Sequence, residues 1–113
     1  MLINTPISLG ELVDKISILM VKQKNIKNNN KLDQVNKELN YLQATLDNHV
    51  TKDEIDVFLN SLIDINSRLW VIEDDIRECE RKKQFDQKFI DLARSVYFTN
   101  DKRANIKLDI NNK

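Results

Sequence analysis

Apolar residues recur at steps of three and four through most of the chain, which is the period of one face of an α-helix. Ser8 and Glu11 have the spacing of a capping box, and the run KNNNK interrupts the apolar period. A first helix is therefore predicted from the Ser8 cap to about Lys27. Its apolar face consists of Leu9, Leu12, Ile16, Leu19, Met20 and Ile26.

A second helix is predicted from about Lys31 to Asn48. Its apolar positions lie close to a heptad repeat. They are Leu32, Val35, Leu39, Leu42 and Leu46. Because the connection before it is short, the first two helices are expected to form an antiparallel hairpin.

The third helix is predicted to be long. TKDE, residues 51–54, resembles a second capping box, and the apolar period then continues without a breaker to Ile76. The pattern predicts a helix of about 30 residues that ends near Lys83. Asp86 is the expected N-cap of a fourth helix, whose period runs through Phe89 to Leu108. Asn and Asp at 99–101 can also cap a helix, so a break at that point is left open.

These elements predict an all-α fold in one domain, residues 1–113: an antiparallel bundle of about four helices, made of two hairpins. The only glycine and the only proline are Gly10 and Pro6, and strand-rich folds need more turn residues than that. A helix of about 30 residues spans about 45 Å, which exceeds the width of a globule of this size. Its overhang exposes apolar residues unless another chain covers them, so we expect a homodimer.

Charge and composition exclude several classes of function. The chain has 18 basic and 18 acidic residues, whereas a dedicated nucleic-acid binder normally has a basic excess. One cysteine, Cys79, and one histidine, His49, exclude an internal disulfide, a multi-cysteine metal site and a two-histidine zinc site. We therefore expect no metal and no cofactor. No apolar run reaches the length of a membrane span and the N-terminus lacks a signal-peptide pattern, which predicts a cytoplasmic protein without a membrane partner.

Charged residues beside the apolar face of the third and fourth helices form the candidate site. Glu73 and Arg77 are four residues apart, and Arg94, Tyr97 and Asp101 follow one another at steps of three and four. If these helices are antiparallel, Arg94 and Tyr97 approach Glu73 or Arg77. The candidate ligand-binding residues are Glu73, Arg77, Arg94, Tyr97, Asp101 and Lys107.

Two interpretations of this site stay open. In the preferred one, interhelical salt bridges and hydrogen bonds fix the helix register. In the other, Arg77, Arg94 and Lys107 hold an anionic ligand in a pocket between the helices, while Glu73 or Asp101 orients it or acts as a base. Apart from that candidate base, the pattern identifies no catalytic residue.

The first helix contributes further charges. Glu11, Asp14 and Lys15 are spaced to approach the candidate site from another side. Glu11-x-x-Asp14 also has a spacing at which two carboxylates can hold Mg²⁺, as Asp75-x-x-Glu78 does. Charged helices produce such pairs freely, so this signal is weak.

Four segments together resemble a family of short bacterial proteins of unknown function. They are SLGELVDKISIL, LDQVNKEL, INSRLWVIEDDIRECE and FDQKFIDLARSVYFTNDKRANIKLDIN. The resemblance extends from about Pro6 to Asn111. It implies a bacterial source and an association with glycosyltransferase and surface-polysaccharide genes, and it implies no activity.

Residues and resemblance together predict a non-enzymatic helical accessory or binding protein, dimeric and linked to surface-glycan assembly. A partner protein or an anionic small molecule is its expected ligand. The alternative is a small all-helical enzyme or sensor for an anionic, phosphorylated metabolite. It would use an Arg/Glu/Tyr pocket between the third and fourth helices.

Overall fold

The computed structural model describes all 113 residues. It contains four helices and no strand, so the predicted all-helical bundle is confirmed. The helices are α1, Leu9–Asn25; α2, Asn29–Asp47; α3, Lys52–Arg81; and α4, Gln87–Asn111. None of them combines the length and the hydrophobicity that crossing a bilayer requires.

Helix α1 lies at the centre of the bundle and packs against the other three helices. Its Val13 and Ile16 side chains are completely buried, and they share one core with Leu39 of α2, Leu62 of α3 and Ile110 of α4. Burial of each such side chain stabilises the fold by about 1.5–3 kcal/mol. Because α1 has a neighbouring helix on several sides, it buries residues on more than one of its faces.

Two of the predicted helix caps are confirmed. The Ser8 hydroxyl accepts the backbone N–H of Glu11 at 3.1 Å, and the Asp86 carboxylate accepts that of Phe89 at 3.4 Å. The capping box predicted at TKDE is wrong. The Thr51 hydroxyl donates to the Glu54 carboxylate at 3.0 Å and caps no backbone N–H.

The helix boundaries fall within a few residues of the predicted ones, and α4 does not break at residues 99–101. Helix α1 ends at Asn25, and Asn28 begins the next helix by accepting the N–H of Lys31 at 3.1 Å. Asn100 caps no new helix: the backbone stays helical through it, and its side-chain oxygen accepts a hydrogen bond from the Arg103 side chain at 3.4 Å. The apolar period therefore runs without interruption through α4.

Helix α3 ends in a Schellman motif. The N–H of Gln84 donates to the carbonyl of Cys79 at 2.9 Å, and that of Lys83 donates to the carbonyl of Glu80 at 3.1 Å. Lys83 is the residue with a positive φ, 54°, in a position where glycine is usual. This turn reverses the chain into α4.

The hairpin of α3 and α4 extends beyond the end of α1. We call its outer part, residues 74–99, the arm. Within the arm only Cys79 is buried, whereas the exposed apolar side chains include Phe85, Ile90, Tyr97 and Phe98. The molecule is 48 Å long, and the predicted apolar overhang is present. The homodimer that would cover it stays a prediction.

Candidate functional site

A buried carboxylate joins three of the helices. Asp14 on α1 is fully buried, and Arg103 of α4 binds both of its oxygens, with Nε at 2.9 Å from Oδ1. The amide of Asn66 on α3 donates to the same Oδ1 at 3.1 Å. We call this group the Asp14 cluster. It comprises Glu11, Asp14, Ser17, Asn66, Arg103 and Lys107.

The fully buried polar atoms of the Asp14 cluster all have partners. Ser17 donates to the carbonyl oxygen of Asp14 at 2.6 Å and accepts from Asn66 at 2.7 Å. Lys107 lies 2.7 Å from the Glu11 carboxylate and 3.6 Å from that of Asp14. No buried side-chain polar atom of the protein is left without a hydrogen bond. The cluster is thus completed by its own chain and balances two carboxylates with two cations.

A glycine lets α1 and α4 approach closely enough for these contacts. A Cβ atom on Gly10 would lie 2.4 Å from the carbonyl oxygen of Lys107, which is far inside van der Waals contact. The N–H of Gly10 donates to the side-chain oxygen of Asn111 at 2.7 Å. One turn later on α1, Asp14 meets Arg103, so the two helices run antiparallel along this contact.

The environment of Asp14 keeps it ionised. Burial acts to raise the pKa of Asp14, but hydrogen bonds from Arg103 and Asn66, together with the charges of Arg103 and Lys107, outweigh it and lower the pKa. The hydrogen bond to Asp14 is the main reason that the pKa of Arg103 is raised. Both groups are therefore held in their charged forms, as an ion pair requires.

Of the six predicted site residues, only Lys107 belongs to the Asp14 cluster. Arg77 is exposed and pairs at 3.5 Å with Asp74 on its own helix rather than with α4. The Arg94 guanidinium lies 5.7 Å from the centroid of the Phe98 ring. No ion pair joins Glu73 to Arg94, and Arg77 and Arg94 each contact a residue of their own helix.

Tyr97 and Asp101 also lie on the surface. Tyr97 is 64 % exposed and its ring meets that of Phe98 edge to face at 5.4 Å. Asp101 is exposed and lies in none of the ion pairs of the chain. No contact within this chain brings the two residues to the Asp14 cluster, and their role in ligand binding stays a prediction.

Asp14 is predicted only to approach the candidate site, and its central position is a finding of the structure. The sequence pattern predicts no role for Arg103, Asn66 or Ser17. One signal was available, since Asn66 occupies a position in the apolar face of α3 between the buried residues Ile65 and Leu69. A polar residue at such a position needs a partner across the bundle.

A pocket of about 180 Å³ adjoins the Asp14 cluster. Its polar lining comes from Lys22 on α1, Asn66 and Glu73 on α3, and Arg103 on α4, and Trp70 forms part of its apolar wall. Glu73 is the second predicted site residue that the fold brings near Arg103. This pocket is the place where a small molecule could contact the cluster.

Glu11 and Asp14, the α1 carboxylates whose spacing would suit Mg²⁺, already have cationic partners. Glu11 binds Lys107, and Asp14 binds Arg103. No three His, Cys, Asp or Glu side chains lie together as a metal site. The spacing of Glu11 and Asp14 is thus explained by ion pairing with α4.

Comparisons with protein-family models, with curated proteins and with solved structures find no match for this chain. The resemblance to a bacterial family and its glycan association therefore stay predictions from the sequence.

Proposed function

We propose that this chain is a non-enzymatic helical binding protein that works as a homodimer in the bacterial cytoplasm. The completed Asp14 cluster is the observation that carries this proposal. Its charged groups bind one another across α1, α3 and α4, which gives them a role in positioning helices. Asp14 and Arg103 are engaged with each other, so neither of them is free to attack a substrate.

The arm is the surface that the rest of the fold leaves for binding. Its apolar side chains are exposed together, with Phe85, Ile90, Tyr97 and Phe98 each about half exposed or more. Concentrated apolar surface of this kind marks protein interaction sites in soluble proteins. The Asp14 cluster supports the arm by fixing α3 and α4 to α1 at the arm's base.

The biological setting that we propose is surface-glycan assembly. It rests on the resemblance of the four sequence segments, from SLGELVDKISIL to the LARSVYFTNDKRANIK region, to proteins with that gene association. In this setting the homodimer would serve as an accessory that binds a partner protein.

Light scattering of the purified chain tests the dimer. The protomer mass is 13.3 kDa, and a species of about twice that mass at micromolar concentration is expected. A mass that stays at the protomer value would contradict the proposal.

A second candidate function is binding of an anionic, phosphorylated metabolite, as a sensor or enzyme. The pocket beside the Asp14 cluster favours it, because Lys22 and Arg103 offer cations next to the Trp70 ring. Glu73 in the same lining opposes an anion, which is why this function comes second.

A thermal-shift screen with nucleotides and sugar phosphates separates the two functions. Binding in the pocket predicts a saturable rise in melting temperature that Lys22→Ala removes. Lys27→Ala is the matched control, since Lys27 is exposed and outside the pocket. No rise with any of these compounds would leave the binding-protein function in place and contradict the metabolite function.

A further inference from the structure

We infer that a second copy of this chain docks antiparallel along one exposed face of α4. This inference rests on the homodimer proposed above and names its interface. The face, which we call the α4 stripe, consists of Ile90, Arg94, Tyr97, Asp101, Ala104 and Leu108.

Helix α4 has two faces with helical periodicity. The inner face packs against the chain itself and carries Phe89, Leu92, Val96, Arg103, Ile106 and Ile110. The α4 stripe repeats at alternating steps of four and three, the spacing of a helix–helix seam, and all of its residues are exposed. Ile90 is 47 %, Tyr97 is 64 % and Leu108 is 57 % exposed. No element of this chain covers that second seam.

Two charges of the α4 stripe lack partners. The Arg94 guanidinium lies over the Phe98 ring, and neither Arg94 nor Asp101 forms an ion pair. The two residues stand on the same face seven residues apart, which is about 10 Å along the helix. They form no ion pair with each other, so opposite charges stand unpaired at a fixed interval.

Charge decides the direction of the second copy. A twofold axis perpendicular to α4 beside Tyr97 places Arg94 opposite Asp101 of the partner subunit, and the same contact forms again on the other side of the axis. In a parallel pair with the same register, Arg94 would face its own equivalent, and so would Asp101. Like charges across a seam are unfavourable, so the antiparallel arrangement is preferred.

The apolar members of the stripe fit the same arrangement. The axis brings the two Tyr97 rings together at the centre, where large aromatic side chains stabilise interfaces most. Ile90 of one copy then lies beside the small Ala104 of the other. Phe98, 51 % exposed, adjoins the stripe and widens the contact. A seam from Ile90 to Leu108 is about 27 Å long.

Charge reversal tests this interface. Arg94→Glu or Asp101→Arg alone replaces two attractive contacts by two repulsive ones, and each is expected to raise the dimer Kd about tenfold in sedimentation equilibrium. The double variant Arg94→Glu/Asp101→Arg restores both contacts with exchanged signs and is expected to return the Kd to near the wild-type value. Lys37→Glu, at an exposed position of α2, is the matched control and should leave the Kd unchanged.

Cysteine cross-linking tests the direction independently. In a Cys79→Ala background, Tyr97→Cys lies near the axis and should form a disulfide-linked dimer under mild oxidation. Leu108→Cys should not, because its two copies are about 30 Å apart in the antiparallel arrangement. Cross-linking at both positions would indicate a parallel pair and overturn the inference.

The outcomes also separate this inference from the proposed function. A wild-type chain that is monomeric at every concentration contradicts the homodimer itself. A wild-type dimer whose Kd is unchanged by Arg94→Glu and Asp101→Arg keeps the homodimer and overturns the α4 stripe as its interface.

Discussion

Three helices converge on the carboxylate of Asp14, which receives hydrogen bonds from Asn66 on α3 and Arg103 on α4. A buried ion pair contributes little net stability over an apolar pair, but its geometry is demanding. The pair therefore specifies how α1 and α4 are aligned more than how tightly they are held. In this protein that alignment sets the base of the arm.

Removal of the Arg103 cation is expected to destabilise the fold. Arg103→Met leaves the buried Asp14 carboxylate with only Asn66 and a more distant Lys107, and we expect a loss of about 3 kcal/mol in the free energy of unfolding. Urea denaturation measures it. The double variant Asp14→Leu/Arg103→Met removes the orphan charge and should be more stable than Arg103→Met alone. Equal stabilities of Arg103→Met and the wild type would refute a structural role for the pair.

Acidification should destabilise the protein through the same carboxylate. The pKa of Asp14 is below its ordinary value of 3.8 in the folded state, so the unfolded chain binds the proton more tightly. The stabilisation by Asp14 is complete at a pH above its pKa in the unfolded chain, and it is lost as the pH falls through its pKa in the folded protein. Melting temperatures should therefore decline below about pH 4. Asp14→Asn should show a shallower decline, and an identical pH profile would contradict this account.

Gly10→Ala should destabilise the fold, although alanine normally favours a helix. The added Cβ would meet the Lys107 carbonyl at 2.4 Å, and that atom is backbone, so α1 and α4 must separate. We expect a loss of about 1–3 kcal/mol by urea denaturation, as in other overpacked contacts. Asn60→Ala, at an exposed site of α3, serves as the control and should be slightly stabilising. A stabilised Gly10→Ala would show that the close approach is not needed.

At the scale of helices, the period of the apolar residues and the capping residues predicted most of the fold. The four helices lie where the apolar period placed them, because burial of a continuous face outweighs local preferences. Ser8 and Asp86 were recognisable as caps for a local reason: each bonds a backbone N–H three residues away. Thr51 lies in the same sequence pattern, but its hydroxyl donates to the Glu54 carboxylate and accepts no backbone N–H.

The polar contacts between helices were not predictable in the same way. Asp14 and Arg103 are 89 residues apart in sequence, and their contact depends on the register of α1 against α4. That register depends in turn on the space left at Gly10, which no period in the sequence reveals. The predicted site residues Arg94 and Asp101 lie on the exposed face of α4 and not on its inner face. Neighbouring positions on a helix are rotated by about 100°, so a small error in the predicted orientation moves a residue from the interior to the surface.

The turn between α3 and α4 offers a test at this scale. Lys83 adopts a left-handed conformation at the end of α3, which is strained for any residue with a Cβ atom. Lys83→Gly should raise the free energy of unfolding by up to about 1 kcal/mol, measured in urea. Lys82→Gly is the control, because Lys82 is right-handed and should gain nothing. A destabilised Lys83→Gly would mean that the Lys83–Glu80 pair matters more than the backbone.

At the scale of the molecule, the chain has a packed body and an arm. The body contains the common core of α1–α4, and the arm is the outer part of the α3–α4 hairpin, where only Cys79 is buried. Two isolated antiparallel helices bury little surface, so the arm gains most from a partner. The exposed α4 stripe extends from the arm onto the body, and a second copy placed there would cover both.

Sedimentation equilibrium of the wild type and of Tyr97→Glu tests the central claim most directly, because Tyr97 lies at the centre of the proposed interface. The wild type should have about twice the protomer mass of 13.3 kDa at micromolar concentration. Tyr97→Glu should sediment as a folded monomer, since it places two carboxylates at the axis and Tyr97 is 64 % exposed within its own chain. A wild-type protein with the protomer mass, or a Tyr97→Glu variant as dimeric as the wild type, would contradict the account.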